Sequence, residues 1–377
     1  MLCAMSTTAR KRALDIGAEW RLVVGLLPEG WRQKAWELRA MRRHRGIKEP
    51  ETLLRMLLMH VGTSRSLKQT AVCAEQAGWG RISAVGLFKR LRSAGKWLAW
   101  IARGLWERPL PAAGRRRVLA VDATTVCEAG KTGSQWRVHW CVNLSNLQCE
   151  FFELTDVHGG EKFARYPIRR GDLMVGDRGY SNPAGIDHVR QQGGDVLVRV
   201  NPMSLPLYDR RDGRRRNLLR LMRGMRVGEV RAWPAWVKGP EDRWHGGRLV
   251  AVRRSVEATK RELRKMKENG KNSDGPPGKL AKAFARYVLV WTNLPAVEMG
   301  KRQVLRHLRY RWQLELVFKR AKSIMGLGQL PKRSDASSRA WLNGKLLVAM
   351  LVDKLWRHAE SLSPWGYSLS RTPKPLA

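Results

Sequence analysis

Residues 173–180 read Leu-Met-Val-Gly-Asp-Arg-Gly-Tyr, and the fold turns on them. Four apolar residues are too few for a helix. Stopped by glycine and aspartate, they spell a short buried strand that delivers the Asp177 carboxylate at its end. Upstream, Val118-Leu119-Ala120-Val121 ends the same way on Asp122, a second short buried strand. Between the two, Trp136, Val138, Trp140, Val142 and Leu144 alternate with Arg137, His139, Cys141 and Asn143, the period of a strand with two distinct faces. Ser145-Asn146 supplies a turn, and Cys149 to Thr155 the return strand. His139 stands alone and reads as a strand histidine rather than a metal ligand. A helical or irregular link, Gly160 to Arg170, precedes the Asp177 strand, and Asp195 to Val200 forms the next. Strands joined by helical crossovers predict a mixed sheet in an α/β domain.

Outward from that sheet, residues 1 to about 110 read as helices. Glu51 to Val61 places Leu53, Leu54, Leu57, Leu58 and Val61 at helical spacing. Ser66 can cap a helix through Leu67, Ala71 and Ala74; Gly78 and Gly80 break it; Ser83 can cap a second helix through Val85, Leu87, Phe88 and Leu91. This is a helix-turn-helix pattern whose second helix carries Lys89, Arg90 and Arg92. Downstream, Asn201 to about Arg286 interrupts the sheet with the basic run DRRDGRRRNLLRLMRGMR and β-like segments at Gly228 to Val237 and Arg248 to Arg253. A charged helix, EATKRELRKMKE, and a linker, ENGKNSDGPPGK, complete it. The segment reads as an inserted, largely β subdomain with one flexible arm. Tyr287 to Asn293 is again a strand. The stretch RHLRYRWQLELVFKRAK is then helical, with Leu314, Val317, Phe318, Ala321 and Met325 as the stripe that faces the sheet. Leu308, Arg311, Glu315, Lys319 and Lys322 run along the adjoining face.

Lys and Arg number 72 against 32 acids in 377 residues, a net charge of +40. Self-repulsion of that size calls for a polyanion, and DNA or RNA is the expected partner. A hydrophobic fraction of 43% is enough for a core, so disorder is excluded as the general state. The cysteines, Cys3, Cys73, Cys127, Cys141 and Cys149, form no zinc-type spacing and suit a reducing cytosol. No apolar run approaches the roughly 20 residues of a membrane span, and the N-terminus lacks a secretory h-region. A cytoplasmic protein is expected.

Two strand-borne aspartates and a distant helical glutamate are the parts that two-metal phosphoryl chemistry needs: carboxylates from separate elements converging on ions about 3.5–4 Å apart. All-oxygen ligands suit Mg²⁺, with Mn²⁺ as a substitute. Asp122, Asp177 and Glu315 are therefore the candidate metal-binding and catalytic residues. For each aspartate taken alone, a turn or cap role explains it as well, and for Glu315 an i,i+4 salt-bridge ladder does.

The strings DATTVCEAGKTGSQWRVHWCVNL, GDLMVGDRGYSN and YRWQLELVFKRAKSIMGL occur in this order. Together they resemble the DDE transposases of bacterial insertion sequences, and more narrowly the insertion-sequence-four family, from about Glu51 to about Ser363. The resemblance implies a ribonuclease H-like catalytic core in two parts, residues 111–200 and 287–377, interrupted by the β-rich insertion at 201–286 and preceded by a helical DNA-binding region at 1–110. It implies Asp122, Asp177 and Glu315 as the triad, with two ions. The family's helix signature, Y-x2-R-x3-E-x6-K, is met by Arg311, Glu315 and Lys322, but its tyrosine position is Leu308. Tyr310, about 200° around the helix, is no substitute. In related enzymes an aromatic from the insertion region stacks on a flipped base, and Tyr287 and Trp291 are the candidates here. Arg178, Arg311, Lys319 and Lys322 are the expected DNA contacts beside the carboxylates, and Lys89, Arg90 and Arg92 those on the helix-turn-helix.

The expected function is cut-and-paste transposition: cleavage at terminal inverted repeats of double-stranded DNA, hairpin formation and opening, then strand transfer into target DNA by a homodimer holding two ends. The expected location is the bacterial cytoplasm, on the nucleoid when bound to DNA. Two rivals share the chain. One is a catalytically inactive, sequence-specific DNA-binding protein derived from a transposase, favoured by Leu308 and the short tail SPWGYSLSRTPKPLA. The other is a structure-specific nuclease that cuts without joining.

Overall fold

The computed structural model describes residues 20–42, 46–63, 65–105, 116–128, 136–209, 213–270, 278–323, 326–331 and 334–361. The linker at 271–277, Cys3, Met325, much of the basic run's start and the tail beyond 361 lie outside them.

After a helical stretch at residues 20–26 come α1 (Trp31–Glu37), α2 (Pro50–Gly62), α3 (Leu67–Gln76) and α4 (Ala84–Gly104). The expected caps are in place. Ser66 Oγ accepts from Gln69 N at 3.1 Å while Gln69 Oε1 accepts from Ser66 N at 2.9 Å, a reciprocal capping box. Ser83 Oγ accepts from Gly86 N at 3.0 Å. Gly78 and Gly80, at φ 70° and 124°, make the turn between the two helices, a backbone that side chains other than hydrogen rarely allow.

The strands are β1 (Val118–Glu128), β2 (Trp136–Asn143), β3 (Gln148–Asp156), β4 (Leu173–Gly176), β5 (Asp195–Arg199), β6 (Val230–Lys238), β7 (Trp244–Arg253), β8 (Tyr287–Thr292) and the two-residue β9 (Gln329–Leu330). They line up as β3-β2-β1-β4-β5-β8-β7-β6, with β9 beside the far end of β1. β1, β2 and β3 are antiparallel neighbours, whereas β1, β4 and β5 run parallel. The parallel pair β4–β5 is joined, as parallel neighbours require, by a crossover helix, α5 (Pro183–Gln191). Segment 201–286 contributes the short helix α6 (Leu218–Leu221), the β6–β7 hairpin, α7 (Val256–Gly270) and α8 (Lys279–Phe284). Its hairpin does not close a sheet of its own. β7 pairs with β8, and β8 with β5, so the strands extend the central sheet.

One expectation is corrected. β1 does not stop at Asp122 but continues to Glu128, because the β-branched Thr124, Thr125 and Val126 stay extended and pair with β2 as far as Val126↔Trp136. What ends at the level of Asp122 is the neighbouring strand β4. Ala120 pairs with Val175 in parallel register, so two residues further on, Asp122 lies opposite Asp177.

Three apolar clusters hold the layers. The first combines α1–α4, one face of β1–β3 (Ala120, Trp136, Val138, Trp140) and the last two long helices, α10 (Trp312–Ser323) and α11 (Asp335–Ser361). The second lies on the other face, where Leu119, Val121, Met174, Val196 and Val198 meet α5 and Leu205, Leu207, Leu218, Met222 and Met225. The third packs Leu173, Val175, Leu197 and Val290 under α9 (Lys301–Tyr310). The N-terminal helices and the sheet thus share a core. α4 and α11 cross closely, since a Cβ on Gly95 would sit 3.3 Å from Ala340. Among the described residues no helix is long and apolar enough to cross a membrane.

Candidate active site

Strand parity brings the two aspartates to one side. β1 sends Leu119 and Val121 to the second cluster and Ala120 to the first; Asp122 shares the face of Ala120. β4 sends Met174 to the second cluster and Leu173 and Val175 to the third. Asp177, in extended backbone (φ −86°, ψ −171°), continues the parity of Val175. Both carboxylates therefore face away from α5, toward the helices that follow β8.

Those helices meet at one residue, Arg311, whose own backbone is helical (φ −51°, ψ −26°). α9 ends at Tyr310 and α10 starts at Trp312, with Arg311 between them. α9 rests on the sheet through Val304, Leu305 and Leu308, and α10 through Leu314, Phe318 and Ala321. The partly buried Leu308 packs in that apolar layer, which accounts physically for a leucine at the signature's tyrosine position. The join is held by Leu314 N donating to Arg311 O at 2.9 Å, a tighter i→i+3 turn. It sets Arg311 directly over the strand ends.

The three carboxylates meet on that guanidinium. Arg311 Nη1 donates to Asp122 Oδ2 at 2.6 Å, and Nη2 to Asp177 Oδ2 at 3.3 Å and to Glu315 Oε1 at 2.9 Å. The Arg311 side chain is 9% exposed, that of Glu315 49%. Burial pushes the Asp122 carboxyl above its usual range, with Arg311 opposing and the charges of Asp177 and Glu315 adding to the rise. Burial acts the same way on Asp177, but there Arg311 and Arg199 outweigh it and hold the carboxyl low. Two neighbouring acids are thus held at different proton affinities, as catalytic carboxylates often are. Among the described residues no three His, Cys, Asp or Glu side chains are close enough, as placed, to share one ion. Arg311 stands among them. The donor set is nevertheless three carboxylates around one point, all oxygen, which fits a hard divalent cation.

The remaining expected contacts separate into those presented outward and those turned in. Lys89, Arg92 and Lys319 are exposed, and Lys322 is half-buried. Arg90 turns inward, with Nη1 donating to Met41 Sδ at 3.9 Å. Arg311, expected on DNA phosphates, is instead occupied by the carboxylates. Trp291 is corrected outright as a base-stacking ring: it is wholly buried, with Nε1 donating to Ala235 O at 3.1 Å, so no face is free. Tyr287 is half-buried against the second cluster. The exposed rings at the site are Tyr310 and Trp312, flanking Arg311. His139 is a strand histidine as expected, its Nε2 3.0 Å from Thr155 Oγ1, with burial and the nearby Arg165 and Arg137 lowering its pKa to about 4.

Sequence reading named Arg178, expected on DNA, but missed the ion-pair group it joins and one further acid. Arg199, Arg178 and Arg254 converge on Glu262 of α7 at 3.2, 3.3 and 3.4 Å, and Arg199 also reaches Asp177 at 3.5 Å. The β4–β5 register sets this: Gly176 pairs with Val198, so Arg199 neighbours Asp177, and no local pattern in the sequence marks it. The further acid is Glu161, whose carboxylate burial and the charges of Asp122 and Asp177 push up. Nothing in its local sequence marks it.

The family model described as "Transposase DDE domain" matches residues 113–351. The transposase for insertion sequence element IS421 from Escherichia coli is 29% identical over 338 residues, 87% of this chain and 91% of that protein. InsL of insertion sequence element IS186A, from Escherichia coli (strain K12), is 29% identical over 337 residues, 87% and 90% of the two chains. The transposase for insertion sequence element IS231F from Bacillus thuringiensis subsp. israelensis is 24% identical over 200 residues, 49% of this chain and 41% of that one.

Proposed function

The chain belongs to the DDE transposase family of insertion sequences, and from that premise we propose that Asp122, Asp177 and Glu315 are its catalytic triad. Membership carries DNA as substrate and the cutting and joining of its strands as the activity. Such enzymes generally work with divalent metal ions. The observation that supports the triad is its convergence: three acids separated by 55 and 138 residues in the chain bond to one guanidinium.

In this reading the strand order 3-2-1-4-5 is a ribonuclease H-like core, residues 201–286 are the insertion, and residues 1–110 carry the helix-turn-helix that reads the terminal inverted repeats. Two Mg²⁺ ions held by Asp122, Asp177 and Glu315 would supply the activated oxygen nucleophile and stabilise the leaving oxygen. β1 and the end of β4 hold the two aspartates on a rigid sheet. Glu315, on a helix and half-exposed, completes the set from the side open to DNA. Arg311 balances the acids and, with Lys319, Lys322 and Arg178, steers a phosphodiester toward them. Lys89 and Arg92 hold the DNA further out. The exposed Trp312 offers a face for a displaced base, and Tyr287 an edge. The reaction is cut-and-paste transposition with a homodimer pairing two element ends.

The test is Asp122→Asn, Asp177→Asn and Glu315→Gln in an excision assay on the element's own ends with Mg²⁺. Each should lower cleavage on the order of 1,000-fold, since loss of one charge-stabilising group costs about 10²–10³, while gel-shift affinity for the ends holds. Cleavage that survives in all three removes the assignment. Nicking without joined target product would instead favour a nuclease.

A further inference from the structure

We propose that Glu161 is a fourth carboxylate ligand of the cation site, an inference that rests on the triad reading above. Four observations support it. The loop that carries Glu161 is pinned from both sides, since Arg137 Nη1 donates to Gly159 O at 3.0 Å and Arg165 Nε to Gly160 O at 2.8 Å. Arg165 also pairs with Glu153 at 2.9 Å, so the nearest arginines have other partners. Among the described residues none donates a hydrogen bond to the Glu161 carboxylate, although the group is half-buried.

The carboxylate lies against the backbone two residues beyond Asp177. A Cβ built on Gly179 would fall 1.7 Å from Glu161 Oε2 and 2.9 Å from its Cδ. A side chain at position 179 would therefore push the Glu161 carboxylate out of its place. The charges that act on Glu161 are those of Asp122, Asp177, Arg137 and Arg311, which sets it on the edge of the same cluster.

Charge balance gives the ligand class. Asp122, Asp177, Glu315 and Glu161 bring four negative charges, and the arginines paired with them, Arg311 and Arg199, return two, so the acids outnumber their paired cations two to one even in a chain of net charge +40. Like charges held together in a partly buried site are costly without a counter-ion. Two divalent cations match four carboxylates and release Arg311 for a phosphate. Carboxylate oxygens select a hard ion of the Mg²⁺ or Mn²⁺ kind.

Mn²⁺ binding to the full-length protein without DNA, followed by calorimetry and by the electron paramagnetic resonance of the free ion, tests this without catalysis. Glu161→Gln should weaken Mn²⁺ binding about tenfold, the lower end of what loss of a supporting ligand costs, and Glu161→Asp should recover part of it. Gly179→Ala should reproduce the loss by displacing the same carboxylate, and the Glu161→Gln/Gly179→Ala pair should be no worse than Glu161→Gln alone. Should Glu161→Gln fail to fold, Gly179→Ala with Glu161→Asp reports on the same oxygen atoms. Wild-type affinity and stoichiometry in Glu161→Gln overturns the proposal, as does a loss in Gly179→Ala that adds fully to that of Glu161→Gln. Asp122→Asn and Asp177→Asn are run alongside. If they too bind like wild type, the triad reading has failed; if they lose binding while Glu161→Gln does not, only Glu161 has been misassigned.

Discussion

Arg311 is the residue on which the site balances. Buried and shared among Asp122, Asp177 and Glu315, its guanidinium is held charged by them, since the three carboxylates outweigh the burial that works against its charge. Replacing it with the similarly long but neutral methionine leaves three acids facing one another. Removing one partner from such a buried network costs about 3–5 kcal/mol, and Arg311→Met should lose stability on that order in metal-free buffer. Added Mg²⁺ should restore more stability to the variant than to the wild type, because a cation that binds only the folded state stabilises it by mass action. Thermal unfolding with and without Mg²⁺ measures both, and equal shifts in the two proteins would exclude a shared site. Glu315 was legible as an acid in a helix, and Arg311 as its neighbour one turn earlier. That Arg311 serves all three acids was not, because its position over the strand ends depends on where α9 and α10 land on the sheet.

At the scale of elements, ion pairs tie strands and helices that apolar packing alone would leave free to slide. Arg117, just before β1, makes a bidentate pair with Asp172 at 2.8 and 2.6 Å, ahead of β4, and reaches Glu150 of β3 at 3.1 Å, all three side chains buried. This clamp sets the β1–β4 register that places Asp122 opposite Asp177. Arg117→Met should destabilise by about 3–5 kcal/mol and disturb cleavage from a distance, read by denaturant unfolding beside excision activity; an unchanged midpoint would show that the clamp is dispensable. A second tie joins α5 to the hairpin: Asp187 accepts from Arg243 at 2.9 and 2.8 Å and lies 2.8 Å from His245 Nε2. Hydrogen bonding from Arg243 is foremost in holding the Asp187 carboxyl below its ordinary range. A lowered folded pKa adds stability above the unfolded value near 4, and that stability is lost as pH falls through the folded value. Asp187→Asn should therefore melt a few degrees lower at pH 7, with the gap closing in acid below about pH 4. A gap independent of pH would mean that packing, not charge, joins the elements.

Across the whole molecule the excess of basic residues is the dominant property. The net charge of +40 favours DNA binding through counterion release. If about 6–10 phosphates are contacted, affinity for DNA should fall about 10³–10⁵-fold between about 50 and about 200 mM salt. A titration that is flat over that range would argue against a broad phosphate footprint. The N-terminal helices do not form a detached reader. They share a core with the sheet and α11, so a grip on DNA by Lys89 or Arg92 is rigidly referred to the strands that bear the aspartates.

Local chemistry was enough to mark the strands, the serine caps of α3 and α4, the candidate acids and the expected polyanionic partner, because periodicity, capping and charge are properties of neighbouring residues. Tertiary structure alone decided that β1 runs past Asp122, that the β6–β7 hairpin prolongs the central sheet, that Trp291 is sealed inside it, and that Glu161 and Arg199 stand near the strand-borne aspartates. Each of these depends on which strand lies next to which. A backbone hydrogen bond or an ion pair between distant segments leaves no mark on the spacing of residues along the chain.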